Sequence, residues 1–176
     1  MIKPMKYLSL FSGIGGFEKG IQQAYELHNT EISRLERERN SQNIQEIQSD
    51  YQGADGRQFS TCIGYSEINK YAIQIYEKRF PEHKNYGDIT ALDPATLPDF
   101  DFLCGGFPFQ AFSIAGKRRG FEDTRGTLFF EIARILRARQ PRLFLLENVK
   151  GLLSHDNGQT FRTIISTLDE LGYDLQ

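Results

Sequence analysis

Three carboxylates stand where apolar runs of the chain stop: Glu67 after Cys62 to Ser66, Asp88 after Tyr86-Gly87, and Glu147 after Leu143 to Leu146. Two further apolar runs, Tyr7 to Phe11 and Phe102 to Cys104, stop at glycines instead: Gly13-Ile14-Gly15-Gly16 and Gly105-Gly106. Glycine lets a backbone and a ligand come close together. A carboxylate at the end of a second strand commonly takes ribose hydroxyls, and one at the end of a third could take an adenine amino group. Each feature alone is equally well a tight turn or a strand end kept acidic for solubility. Together they suit an adenosine-containing ligand. The dinucleotide fingerprint G-x-G-x-x-G fails, because Gly13 and Gly15 fit but the third position is Glu18. S-adenosylmethionine, which has no pyrophosphate to cradle, therefore fits better than NAD, and a hydride-transferring enzyme is disfavoured.

Positioning these groups requires strands that alternate with helices. Phe17, Ile21, Ala24 and Tyr25 share one helical face behind the first glycine turn. Asn69 to Arg79 is helical, with Ala72, Ile75 and Tyr76 inward. Thr127 to Arg139 places Leu128, Phe129, Ile132, Ile135 and Leu136 on one face. Phe161 to Leu171 does the same with Phe161, Ile164, Ile165, Leu168 and Leu171, and Gly172 is its stop. Tyr86-Gly87-Asp88 reads as a short third strand and its end. Residues 28–60 are polar and charged and read as a solvated insertion, a short charged helix followed by a loop. The pattern predicts an α/β fold: an open, mostly parallel Rossmann-like sheet with helices on both faces, and ligands beyond the carboxyl ends of the strands.

Composition limits the classes. The 176 residues suit one domain, with 39% hydrophobic and 25% charged residues and a formal net charge of −2. That charge does not announce a nucleic-acid binder, so any DNA contact must be local or come from another polypeptide. No apolar run reaches the ~18 residues of a membrane span. Cys62 and Cys104 have neither disulfide-framework nor metal spacing, no metal is expected, and the compartment reads as cytoplasmic.

One stretch goes beyond fold class. Gly105-Gly106-Phe107-Pro108-Phe109-Gln110-Ala111-Phe112-Ser113-Ile114-Ala115-Gly116, with Leu10-Phe11-Ser12-Gly13-Ile14-Gly15-Gly16 before it and Leu146-Glu147-Asn148-Val149 after it, resembles the cytosine-C5 DNA methyltransferase family. The resemblance runs from residue 6 to the end, outside the insertion. It implies that Phe11 and Gly13, Ile14, Gly15 and Gly16 hold S-adenosylmethionine. Glu67 would bind its ribose, with Ile68, Asp88 and Ile89 at the adenine and Leu128 also touching the cofactor. It implies that Pro108 opens a loop over residues 107–126 that closes on a flipped cytosine of double-stranded DNA. Glu147 would hydrogen-bond and protonate the N3 edge of that base, and Asn148 would orient the loop. Gln110, Ser113, Lys117, Arg118, Arg119 and Arg125 would meet DNA, the basic cluster on phosphates rather than bases. A solvated loop is the bland alternative for that cluster.

Two departures stand out. The family carries cysteine between Pro108 and Gln110, where this chain has Phe109, and a benzyl group is no nucleophile. The chain therefore reads as inactive as written. A catalytically silent homologue, a deliberate substitution and a sequence error remain open, and the otherwise intact site favours a recent or deliberate change. A non-catalytic S-adenosylmethionine- or DNA-binding module is the alternative function. In addition, the family continues past the position of Gln176 with two more strands, an arginine-rich motif, a target-recognition domain and a final helix. The expectation is a sheet incomplete on its carboxy-terminal side, completed by a second chain or a missing segment, with the strand at Leu143 to Leu146 left at an apolar edge.

Overall fold

The structure is a computed structural model that describes residues 4–40, 60–108 and 128–176. Its elements run β1 (Met5–Leu10), α1 (Gly16–Asn40), β2 (Ser60–Ser66), α2 (Lys70–Arg79), β3 (Phe102–Gly106), α3 (Leu128–Arg139), β4 (Leu143–Glu147) and α4 (Gln159–Glu170), with short 3-10 turns between some of them. The four strands form one parallel sheet in the order β2-β1-β3-β4. From β1 the chain moves one way to β2 and then the other way to β3. The crevice between the carboxyl ends of β1 and β3 is thus the topological switch point, where open α/β sheets bind ligands.

The two faces of the sheet are built differently. Leu8, Leu10 and Leu103 point to one side and join Phe129, Ile132, Ile135 and Leu136 of α3 and Ile164 and Leu168 of α4 in one apolar core. Burying each such side chain contributes about 1.5–3 kcal/mol. The intervening residues Tyr7, Ser9 and Cys104 point to the other side, as does Tyr65, the partner of Ser9 in β2. There Tyr65 stacks on Tyr76 of α2 with ring centroids 3.8 Å apart, and Glu18 of α1 accepts a hydrogen bond from the Tyr76 hydroxyl at 2.9 Å. One face is greasy, the other a buried polar layer.

His83 closes that layer, its Nδ1 lying 3.0 Å from the Tyr76 oxygen and its ring stacked on Phe80. Burial holds its pKa below the ordinary imidazole value, against an opposing pull from the Glu18 carboxylate. The unfolded chain therefore binds this proton more readily than the folded one. The stability from a neutral His83 is complete above about pH 6.5 and is lost as pH falls through that value towards the lowered one. The urea midpoint is expected to drop between pH 7 and pH 5, and His83→Gln should flatten the drop.

Four expectations need correction. Residues 28–60 do not open a separate unit at residue 28: α1 continues unbroken to Asn40, because its run of Glu, Arg and Leu has good helix propensity and no Gly or Pro until Gly53. The remainder of that segment lies outside the described residues. Tyr86-Gly87-Asp88 forms no strand. Only one bridge, Tyr65 to Asn85, extends the sheet there, since Gly87 turns the backbone at φ +72°. Ile75 is exposed, and α2 buries only Tyr76. In α4 the buried stripe is Thr160, Ile164, Thr167 and Leu168, with Ile165 only half-buried. The helix stops as expected at Gly172, φ +87°, with Gly172 N donating to Asp169 O and Tyr173 N to Leu168 O.

Among the described residues β4 is an edge strand. Its Phe144 and Leu146 pack on the core, while Leu143 and Leu145 on the opposite face are 55% and 53% exposed. No helix among the described residues is long and apolar enough to cross a membrane.

Candidate functional site

Strand register sets the site. Leu10 lies beside Ser66 on one side and Gly105 on the other, and Gly106 lies beside Glu147. Phe11, Glu67, Gly106 and Glu147 therefore end up in one row along the carboxyl edge of the sheet, although 135 residues separate the first from the last.

The chain leaves β1 through Phe11, whose φ is +53°, and Gly13 and Gly15 at +54° and +88°. A left-handed non-glycine residue costs on the order of 1 kcal/mol and is tolerated where surrounding structure holds it. Phe11 packs against the core, while Ile14 is 47% exposed. A Cβ added at Gly13 or Gly16 would meet nothing within 4 Å, so the turn has an open face. At Gly15 it would run into the Phe80 ring at 2.6 Å, which shows how tightly α2 backs the turn. Arg79 adds a hydrogen bond to Ile14 O at 3.1 Å.

Glu67 ties the first two strand ends together. Its Oε2 accepts from Gly13 N at 2.8 Å, and its Oε1 accepts from Ile68 N at 2.9 Å and Asn69 N at 2.8 Å. A carboxylate offers about four acceptor sites. Three are taken, and one remains for an incoming hydroxyl. Asn69 in turn caps α2 by accepting from Tyr71 N and Ala72 N. The Ile68 side chain is 71% exposed beside it.

Asp88 is exposed at the next corner. Its Oδ1 accepts from Thr90 N and Oγ1, which holds its pKa below the usual carboxylate value. Among the described residues Oδ2 has no partner. Ile89 is buried in the apolar core, where Arg134 holds its carbonyl. Asn85 was not singled out from the sequence, yet it joins the two carboxylate corners: its Oδ1 accepts from Gly87 N at 2.8 Å and its Nδ2 donates to Glu67 O at 3.2 Å. Its place just before Tyr86-Gly87 was the available signal, since asparagine is a turn-former.

At the far side, Glu147 exposes its carboxylate next to Gly106, where an added Cβ would come within 2.9 Å of Oε2. Asn148 Nδ2 donates to Phe107 O at 2.7 Å. Phe107 is buried against Phe129, with ring centroids 5.7 Å apart, and Pro108 is exposed. The chain is thus anchored at the residue before Pro108. Leu128 is half-buried on the core at the start of α3. Phe109, Gln110, Ser113, Lys117, Arg118, Arg119 and Arg125 lie outside the described residues. Cys104, five positions before Phe109, is fully buried, its Sγ bonded to Leu8 O, and burial pushes its thiol up to about 12. It is an inert core thiol.

The family model described as C-5 cytosine-specific DNA methylase matches residues 5–176. The chain belongs to this family. The Type II methyltransferase M.NlaIV of Neisseria lactamica is 40% identical over 179 residues, covering 98% of this chain and 36% of that protein. M.NgoBI of Neisseria gonorrhoeae, also a Type II methyltransferase, is 61% identical over 113 residues, 64% of this chain and 35% of that protein. The chain spans 28–41% of the length of such curated relatives. The fold is shared with the Spodoptera frugiperda DNMT2 structure, TM-score 0.60 at 23% identity, covering 95% of this chain and 41% of that one. It is shared too with a putative DNA modification methyltransferase of an Escherichia coli prophage, TM-score 0.58 at 19% identity, covering 94% and 38%.

Proposed function

We propose that this chain is the cofactor-binding part of an S-adenosylmethionine-dependent DNA cytosine-C5 methyltransferase, inactive as written because Phe109 occupies the nucleophile's position. The observation that carries the cofactor reading is the corner made by Gly13, Glu67 and Asp88: an open glycine face, one spare acceptor on Glu67 and a spare oxygen on Asp88. That set suits a ribose and an adenine amino group and offers no phosphate cradle.

S-adenosylmethionine would supply an electrophilic sulfonium methyl group. Cytosine C5 is a poor nucleophile, and the family's chemistry activates it by adding a cysteine thiolate to C6. Glu147 would hydrogen-bond and protonate the N3 edge, relieving the charge that develops there. Asn148, through Phe107 O, would hold the entrance of the loop carrying Pro108 and residue 109. A stacked base is out of reach of all these groups, so the cytosine must be flipped out of double-stranded DNA. Gln110, Ser113, Lys117, Arg118, Arg119 and Arg125 would line the closing loop. The remainder of the methyltransferase, as a second chain or a further segment, would pair along β4 and cover Leu143 and Leu145.

Calorimetry with S-adenosylhomocysteine tests the cofactor reading directly. Binding to the folded chain is expected, and its absence would overturn the reading. Glu67→Ala removes a charged acceptor of three backbone donors. Hydrogen bonds to charged groups are worth about 1.5–3 kcal/mol, so affinity is expected to fall by roughly tenfold to a hundredfold, with Glu67→Gln in between. Phe109 favours a second reading, a non-catalytic S-adenosylmethionine- or DNA-binding module. Retained S-adenosylhomocysteine binding, with no methyl transfer even after Phe109→Cys in the presence of the remainder, would select it.

A further inference from the structure

The buried polar layer contains a group that the proposed chemistry does not use. Glu18 lies in the first turn of α1, only 2% exposed, with its Oε2 unpartnered among the described residues. A buried carboxylate oxygen without a partner is expensive for folding. The side chains around it are Tyr7 of β1, Tyr65 and Cys62 of β2, Cys104 of β3, Tyr76 of α2 and His83 just beyond it. Burial and then the Glu18 charge push the Tyr76 phenol up, and burial chiefly pushes Cys62 up to about 11. None of these groups is a cation partner for the carboxylate except a protonated His83.

The Tyr76 hydroxyl has one proton to give and lies against both Glu18 and His83. It donates to Glu18 Oε1, the stronger acceptor, so His83 Nδ1 must carry a proton and donate to the phenol oxygen. This chain of two hydrogen bonds runs from α1 through α2 to the segment after it. One turn along α2, Arg79 bonds Ile14 O and the Phe80 ring lies against Gly15. His83 stacks on that same ring at 5.1 Å, nearly parallel. Residues 76–83 therefore grip residues 14–18 from behind at several points, while Glu67 grips Gly13 from the front.

We propose that Glu18 is a positioning residue for the cofactor: through Tyr76 and His83 it fixes α1 against α2 and so holds the Gly13–Gly16 turn in the shape that accepts the ligand. The inference rests on that turn being the cofactor's seat. The cost of the orphaned Oε2 is then borne for binding rather than for folding, which separates it from a merely structural role.

Glu18→Leu removes the carboxylate and leaves Tyr76 still partnered by His83. Its thermal midpoint is expected to equal or exceed that of the parent, because an apolar group replaces a poorly satisfied buried one. Its affinity for S-adenosylhomocysteine is expected to fall by about tenfold. Glu18→Gln keeps the acceptor for Tyr76 and should retain affinity within about threefold. Tyr76→Phe should weaken binding like Glu18→Leu, and the double variant should be no weaker than either single one. Affinity unchanged in Glu18→Leu, or a lowered thermal midpoint that Glu18→Gln shares, would overturn the proposal. If the parent chain binds no S-adenosylhomocysteine, the cofactor reading fails, and amide exchange still decides the tie. Faster exchange at Ile14 to Gly16 in Glu18→Leu supports it, and unchanged exchange sinks it.

Discussion

Phe109→Cys is expected to raise methyl transfer to DNA from background by at least about a thousandfold, once the chain is co-expressed with the carboxy-terminal part proposed to complete it. Loss of an attacking group is among the most costly single changes an active site can suffer. The benzyl group of Phe109 has no lone pair to add to C6 and no proton to give up. No nearby thiol replaces it, since Cys104 is sealed under the sheet with its thiol pushed up to about 12. Among the described residues before and across from that position, Phe107 is buried, its carbonyl is held by Asn148, and Glu147 stands exposed beside Gly106. The measurement is transfer of labelled methyl groups from S-adenosylmethionine to mixed DNA, with both versions in parallel. Equal transfer by the phenylalanine version would refute the assignment of residue 109 as the nucleophile's position.

Gly64→Ala is expected to destabilise the fold by about 2–4 kcal/mol, a large share of the stability of a small domain. Gly64 follows a bulge in β2, where the register with β1 slips between Tyr7 and Leu8, and its φ is +144°. An added Cβ would sit 2.3 Å from Tyr86 Cε2 and 2.7 Å from Lys84 O. The ring could turn aside, but the carbonyl cannot, because it accepts from Tyr65 N at 2.9 Å. Pushing it away would also disturb the segment that carries Asn85 and Asp88 to the Glu67 corner. Gly20→Ala is the control: a Cβ there meets nothing within 4 Å, and in a helix alanine is favoured over glycine by about 1 kcal/mol. Urea denaturation of both variants should show opposite signs. A Gly64→Ala protein as stable as the parent would mean that the bulge relaxes freely.

The elements were legible wherever one face of a segment is wholly apolar. α3 shows this best: Phe129, Ile132, Ile135 and Leu136 repeat at helical spacing and are all buried. The glycine turn, Glu67 and Glu147 were legible for a related reason, since strand ends are marked by an abrupt change from apolar to glycine or acid. The polar face of the sheet was not. Helical spacing placed Tyr76 inward and it is buried, but Ser9 and Glu18 carry the same side chains that exposed positions carry, so local pattern could not tell a buried tyrosine–carboxylate layer from a solvated one. Ile75 failed the other way, as an apolar residue that nothing among the described residues covers.

By itself, then, the order of residues determined most of the strand and helix alternation, the residues that close the strands, the family motifs and the presence of phenylalanine at position 109. These follow from local periodicity and from residue chemistry, which need no partner to be read. Only the tertiary structure decided that Glu67 would hold Gly13, that Asn85 would join the Glu67 and Asp88 corners, that Asn148 would reach Phe107, and that Glu18 would be buried behind the glycine turn. Each of those contacts joins residues that the parallel strand register or the packing of α2 brings together, and neither is encoded in any short window of the chain.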